Sequence, residues 1–210
     1  VINIDLRCIL KLEQQQEEIM ARINQRTLWV TQLALLTAIV VVLQITASFF
    51  RFGMFQLALV LVPIVIGGAL LGIGAGAWLG FVFGLIVLLN GDAAVFYAFS
   101  VPGTVLAVML KGIAAGALGG LAYKLLEKKN QYAAVISASI VVPIVNTGVF
   151  VLGCLVFFMP LIAQWAGGGD AVRHLFIGVI GLNFFIELGS TLLLSGVILR
   201  IIQIWQRRRA

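Results

Sequence analysis

The sequence predicts an all-α integral membrane protein: a six-transmembrane-helix bundle with short loops and both termini in the cytoplasm. Three observations predict it. Apolar residues make up 62% of the 210 positions and charged residues only 10%, with a mean hydropathy of +1.14, whereas soluble domains run near half apolar and a quarter charged. A chain this short has too high a surface-to-volume ratio to bury that much apolar side chain in one aqueous core, which leaves lipid as its solvent. The apolar residues also fall in separate runs close to the length that crosses a bilayer, about 20 residues at 1.5 Å each. Finally, basic residues gather at the ends of those runs, where they anchor and orient helices.

Six runs qualify. They extend from about Leu28 to Phe50, Phe55 to Leu71, Ala75 to Leu89, Val101 to Leu126, Tyr132 to Phe158 and Leu175 to Trp205. The second and third are short, and five spans result if they form one long bent element. The charge bias favours six. Arg22 and Arg26 precede the first run, Lys124, Lys128 and Lys129 follow the fourth, and Arg207, Arg208 and Arg209 close the chain. An even count puts all three groups on the cytoplasmic side. The opposite side keeps Arg51 and Arg173, accompanied by Asp92 and Asp170.

The chain thus divides into a polar N-terminal extension (1–27), a membrane domain (28–205) and a basic tail (206–210). The extension reads as a surface helix or as a segment that does little, with Met20 an alternative start, and it lacks the apolar core of a signal peptide. Net charge is +6, which in a soluble chain would suggest nucleic acid; here anchoring accounts for it. Cys8 and Cys154 are too few and too far apart to indicate a disulfide framework, and one histidine, His174, makes no metal cluster. No catalytic arrangement, ATP-binding motif or cofactor site is legible, so the chain reads as a non-enzyme without a cofactor.

Small residues recur at helical spacing. Gly72, Gly76, Gly80 and Gly84 share one face of the third run, and Gly112, Gly116 and Gly120 one face of the fourth. Lipid supplies no hydrophobic drive between helices, so close approach at such faces must hold a bundle together. Both stripes are expected to pack internally. Ala34 and Ala38 form a further pair on the first run, suited to internal packing or to docking on another membrane protein.

Polar groups inside a membrane are costly and so mark function. Lys111 lies about ten residues into the fourth run, roughly 15 Å along a helix, and Glu187 about twelve residues into the sixth. Either they pair with each other or one of them meets a ligand: Lys111 a carboxylate, Glu187 a hydroxyl or amide donor. Asn146 and Asn183 offer amides that read a polar solute without burying charge, or that bond between helices. Gln44 lies near the outer end of the first run, while Thr147 and Thr191 are expected to bond their own helix carbonyls. The outer loops add Arg51, set among four Phe in SFFRFGMF (48–55), then Asn90, Asp92 and Tyr97 in NGDAAVFYAFS (90–100), and Trp165 in QWAGGGDAVRH (164–174). Interfacial aromatic belts explain many such residues; sparse polar groups among aromatics are also what a small-molecule pocket uses.

The segments LALLTAIVVVLQ, LVLVPIVIGGALLGIGAGAWLGFVFGLIVLL, VMLKGIAAGALGGLAYKLL, PIVNTGVFVLG and GLNFFIEL, in this order and spacing, resemble the substrate-binding (S) components of energy-coupling factor transporters. The resemblance covers about residues 28 to 205 and is nearest the pantothenate- and riboflavin-type branch. It implies a six-helix subunit of the bacterial plasma membrane that captures a small water-soluble vitamin from outside. It also implies partners: a membrane coupling (T) subunit, with Ala34 and Ala38 on the docking face, and two cytoplasmic ATPases. The ligand site it implies lies near the outer surface under the loop 48–55, with Lys111, Asn146, Asn183 and Glu187 on the fourth to sixth helices. Riboflavin-type members tend to carry a Lys shortly after the last-helix Asn, where this chain has Ile186 and Glu187, so pantothenate is favoured. Two other readings remain open at this point: a self-sufficient secondary transporter or channel, and a non-transporting membrane scaffold. No inverted repeat of the kind the first requires relates residues 28–126 to 132–205.

Overall fold

A computed structural model of the chain describes residues 2–49, 51–52, 55–56 and 59–207, with side chains for 25–49, 59–178, 180–181 and 183–205. The chain divides into two compact units, Val1–Leu35 and Leu36–Ala210. The boundary falls inside helix α1, Ile2–Phe49, so the polar extension and the expected first span share one helical element. In the first unit the described side chains from Gln25 to Thr31 are exposed, and Thr31 bonds back to the Thr27 carbonyl at 2.8 Å. All further contacts described below lie within the second unit.

A two-residue ribbon departs from the all-α expectation. Strand β1, Arg51–Phe52, pairs antiparallel with β2, Phe55–Gln56, in the register Arg51 to Gln56 and Phe52 to Phe55. Next come helices α2, Leu61–Leu71, and α3, Ile73–Leu89. Only Gly72 separates them, at φ 96°, a conformation that costs glycine little and other residues much. The chain turns back there: a Cβ at Gly76 would stand 3.1 Å from the Gly68 Cα. The second and third expected spans are therefore two helices and not one bent element. With 11 residues, α2 is about 16 Å long and does not cross a hydrocarbon core of about 30 Å by itself.

Helix α4, Ala94–Phe99, leads to α5, Val101–Leu126. The Ser100 side chain caps α5 by accepting from the Gly103 amide at 3.3 Å, with Pro102 in the first turn where its missing N–H is not needed. Helix α5 is central, with α2 and α3 on one side and α6, Gln131–Gly153, on the other. Helix α6 starts at Asn130, whose side chain accepts from the amides of Tyr132 and Ala133. It continues through a π-helical segment, Cys154–Phe158, into α7, Met159–Trp165. Helix α8, Ala171–His174, capped by Asp170, runs through a second π-helical segment, Leu175–Gly181, into α9, Leu182–Leu193. Helix α10, Ser195–Arg207, follows.

Among the described residues four helical stretches are long and apolar enough to cross a membrane: Gln25–Phe49, Val101–Leu126, Gln131–Trp165 and Ala171–Leu193. Shorter apolar helices occupy Leu61–Leu71, Ile73–Leu89 and Ser195–Trp205. The expected sixth span, 175–205, is thus interrupted at Leu194.

Gly72 drops out of the expected stripe, since it forms the break before α3 and a Cβ there would meet nothing within 4 Å; the remaining glycines face each other across α3 and α5. A Cβ at Gly76 would collide with the Gly116 carbonyl oxygen and one at Gly80 with that of Gly112, and the converse holds for Gly116 and Gly112. At Gly84 the neighbour is the Val108 oxygen at 3.0 Å, and at Gly120 the Ile73 Cα at 3.1 Å. Backbone meets backbone along the whole seam, which is the approach that small residues permit in lipid.

Pro143 lies inside α6. It has no N–H to give the carbonyl four residues back, that of Ser139. Thr191 of α9 supplies the missing donor: its Oγ1 lies 2.8 Å from the Ser139 oxygen. The single hydroxyl proton of Thr191 is shared, since Oγ1 also lies 3.0 Å from Glu187 O and 3.1 Å from Leu188 O of its own helix, as the sequence leads one to expect, but the shortest contact is the one to α6, where a donor is missing. Thr191→Val is expected to cost about 1–3 kcal/mol, the penalty of an unmet buried acceptor. In a Pro143→Ala background, where the backbone N–H returns, the same substitution should cost clearly less. Denaturation of the four proteins in detergent reads the cycle; equal costs in both backgrounds would show that Thr191 does not serve Pro143.

Candidate functional site

Two polar clusters stand in this apolar frame. The first centres on Glu187 of α9, 4% exposed. Its Oε2 accepts from Asn146 Nδ2 at 3.2 Å and Thr147 Oγ1 at 3.3 Å, and its Oε1 accepts from Asn183 Nδ2 at 3.0 Å. A carboxylate withdrawn from water is costly unless donors replace the water. Here neighbouring residues of α6 and one residue of α9, a turn before Glu187, do so. The sequence places Asn146, Asn183 and Glu187 together in function, and the structure brings all three into contact. It adds Thr147, whose hydroxyl reaches across to α9 and not to its own helix.

Asn146 is 3% exposed. Only its NH2 can donate to Glu187, so the carboxylate fixes the amide's orientation. That leaves Asn146 Oδ1 buried with no hydrogen-bond partner.

Lys111 of α5 adjoins the glycine seam and is half-buried. Its Nζ lies 5.5 Å from the centroid of the Phe83 ring and 5.0 Å from that of Phe150, within cation–π range. Glu187 acts on it electrostatically, yet among the described residues no ion-pair contact joins the lysine to a carboxylate. Each charge thus has its own immediate partners: rings for Lys111, amides and a hydroxyl for Glu187.

Phe150 continues into an aromatic cluster. Phe96 meets Phe150, Phe158 and Trp165 edge-on at 5.4, 4.9 and 5.8 Å between centroids. Beneath them Cys154, Phe158, Ile162, Leu175 and Ile180 are buried together. The wider π-helical turn at Cys154–Phe158 changes which side chains face inward there, and turns both Cys154 and Phe158 into this core.

The second cluster ties α1 to the turn after α3. Asp92 Oδ2 accepts from Gln44 Nε2 at 2.7 Å and Ser48 Oγ at 2.9 Å, and Asn90 Nδ2 donates to Ser48 Oγ at 3.3 Å. Gln44 is 2% exposed. Of the residues the sequence singles out, Gln44, Asn90 and Asp92 therefore form a group apart from Glu187. Ser48 was not singled out, although its place one helical turn after Gln44 is a signal for it. Tyr97 is half-buried on α4 and joins neither cluster by a side-chain hydrogen bond among the described residues. The side chain of Arg51 lies outside the described residues, as do those of its neighbours in the ribbon. Ala34, in the first unit, and Ala38, in the second, are both exposed. Among the described residues no group of His, Cys, Asp and Glu is suited to hold a metal ion.

An apolar helical bundle with an interior polar centre suits a solute-handling membrane protein in general terms. Comparison with family models makes this specific. The model for the ECF transporter, substrate-specific component, matches residues 29–204, and the chain belongs to that family. It is thus a substrate-specific subunit of ECF transporters, a membrane protein of a class that handles solutes and is not enzymatic. Comparison with curated proteins and with solved structures finds no match.

Replacing Asp92 by Leu would remove the acceptor of Gln44 Nε2 and leave the Ser48 hydroxyl to the Gln44 carbonyl, 2.9 Å away. The expected loss is about 1–3 kcal/mol, seen as an earlier thermal transition in detergent, with Asp92→Asn losing less because one oxygen remains. An Asp92→Leu protein that melts like the parent would mean the donors find other partners without cost.

Proposed function

We propose that this subunit captures a small water-soluble vitamin from outside the cell and releases it inside when energised by a membrane coupling (T) subunit and two cytoplasmic ATPases. Pantothenate is the first candidate, with riboflavin or another vitamin next. The chain crosses the bacterial plasma membrane six times with both termini in the cytoplasm. In this topology α2, together with the chain that leads into it, and α3 make separate crossings and α10 completes the last, and the basic groups at Lys124, Lys128, Lys129 and Arg207 share one face.

The observation that carries the reading is the buried centre at Glu187, in a chain that belongs to the substrate-specific family. Carboxylates and amides are not kept in lipid without use. Lys111 is the group for a ligand carboxylate, with Phe83 and Phe150 beside it; Asn146, Asn183 and Glu187 form the polar end; and the aromatic cluster at Phe96 gives the apolar wall that small-molecule sites use. Gln44, Asn90, Asp92, Tyr97 and Arg51 belong to the outer entrance. Strand β2 lies beside α9, which supports the loop 48–55 as the cover of the site. Ala34 and Ala38 form the docking face for the coupling subunit.

A binding panel of water-soluble vitamins on the purified protein tests the ligand. Asn183→Leu should weaken the vitamin that binds by about tenfold, the worth of roughly one buried hydrogen bond, and leave the melting profile of a folded protein. Unchanged affinity would reduce Asn183 to a packing residue. Replacing Ala38 by Leu should lower copurification of the coupling subunit several-fold, because the added side chain holds the helices apart. Concentrative uptake by this chain alone in liposomes would instead point to a self-sufficient transporter.

A further inference from the structure

The geometry points to Asn146 Oδ1 as the acceptor that reads a hydroxyl or amide N–H of the bound solute, with Glu187 a positioning residue that does not touch the solute. The inference rests on the reading of this cluster as the solute site and assigns the chemistry of its polar end.

A free carboxylate at Glu187 would itself be the natural acceptor for a ligand donor. Its two oxygens, however, already take three hydrogen bonds, from Asn146, Thr147 and Asn183. Two of these donors converge on Oε2, so that atom's directions toward α6 are filled. Oε1 keeps one acceptor position, but the buried acceptor of this cluster with no partner at all is one bond further out, on Asn146. Asn146 must turn its NH2 to Glu187, and its oxygen then points elsewhere, buried and unpartnered. Native proteins leave few buried polar atoms unsatisfied, since each costs about 1–3 kcal/mol. In a protein whose task is to hold a solute, such an atom is satisfied by the solute's donor. The carbonyl of an amide also suits reversible capture, because it accepts without placing a second charge near Glu187.

Lys111 bears on the same assignment. It is held by the rings of Phe83 and Phe150 and makes no ion-pair contact with Glu187. The lysine therefore does not depend on Glu187 for its immediate contacts, and the two ends of the centre are chemically distinct. One end presents a cation and the other a neutral acceptor. A solute that fits both carries an anionic or electron-rich group at one end and a hydroxyl or amide N–H at the other.

Substituting Glu187 separates a hydrogen-bonding role from a charge role. In Glu187→Gln the side-chain oxygen can face Asn146 and Thr147, keeping Asn146 oriented, while the new NH2 faces Asn183, whose amide reverses. In Glu187→Leu nothing holds the Asn146 amide. The experiment combines an experimental structure of the full chain as isolated in detergent with mass spectrometry of the small molecules it releases on denaturation. The released amount is compared for the parent, Glu187→Gln, Glu187→Leu and Asn146→Leu.

The expected result is non-water density against Asn146 Oδ1 and a released compound that bears a hydroxyl or amide N–H. Glu187→Gln should retain that compound within about threefold, and Glu187→Leu and Asn146→Leu should lose about tenfold or more, one buried hydrogen bond's worth. Water alone, no density, or a protein donor at Oδ1 overturns the inference. So does a Glu187→Gln protein as empty as Glu187→Leu, which would make the charge itself the ligand contact. Should the leucine variants fail to fold, the parent structure and Glu187→Gln still decide. A donor-bearing compound on Asn146 that is not a vitamin upholds this inference while refuting vitamin capture; a vitamin seated elsewhere does the reverse.

Discussion

The contact on which the rest of this structure depends is the glycine seam between α3 and α5. At Gly76, Gly80, Gly112 and Gly116 the two backbones come so close that a single Cβ on either side would meet a carbonyl oxygen of the other. In water, apolar burial would drive such helices together. In lipid the tails are as apolar as the side chains, and close backbone packing has to do it. The seam fixes the rotation of α5, and with it the position of Lys111, the residue before Gly112. It also frees the opposite side of α5 to receive α6. A Cβ at Gly119 would run into the Val142 side chain of α6, and one at Gly153 of α6 would stand 2.7 Å from the Ala107 Cβ of α5.

The polar centre is built on that frame by a different rule. Buried amides and hydroxyls earn their place only where each finds a partner, and α6 and α9 are matched on this basis at two levels. Asn146 and Thr147 meet Glu187, and a turn or more away the Ser139 carbonyl meets Thr191. Between them the two helices settle one carboxylate and one proline defect. The exceptions are the Ser139 hydroxyl and the Asn146 oxygen, and the second lies beside Glu187.

Much of this was legible in the sequence, for identifiable reasons. Hydropathy and length marked α1, α5 and α6, because a bilayer imposes a span length that a soluble core does not. The glycine stripes announced their faces through a spacing of four. Asn146, Asn183 and Glu187 stood out because polar atoms are rare in such runs, and Asn183 and Glu187 share a face by their separation alone. What escaped was tertiary. The break between the second and third runs is expected, but that it narrows to Gly72 alone is a matter of one dihedral angle. The interruption at Leu194 has no glycine or proline at the residue itself to mark it. The partition of Lys111 from Glu187 depends on the rings of Phe83 and Phe150, which arrive from other helices. Thr147 looked like a residue that bonds its own turn, and only the approach of α9 turns its hydroxyl outward from α6.

The pairing of α6 with α9 also imposes an order on biogenesis. Asn146 precedes its acceptor by 41 residues and Ser139 precedes Thr191 by 52, so α6 is synthesised before either partner. Until the C-terminal hairpin is inserted, the nascent subunit carries a proline-exposed carbonyl and two unanswered polar side chains at membrane depth. Closure of the bundle is thus a late event that waits on α9, the last of the partners to be made.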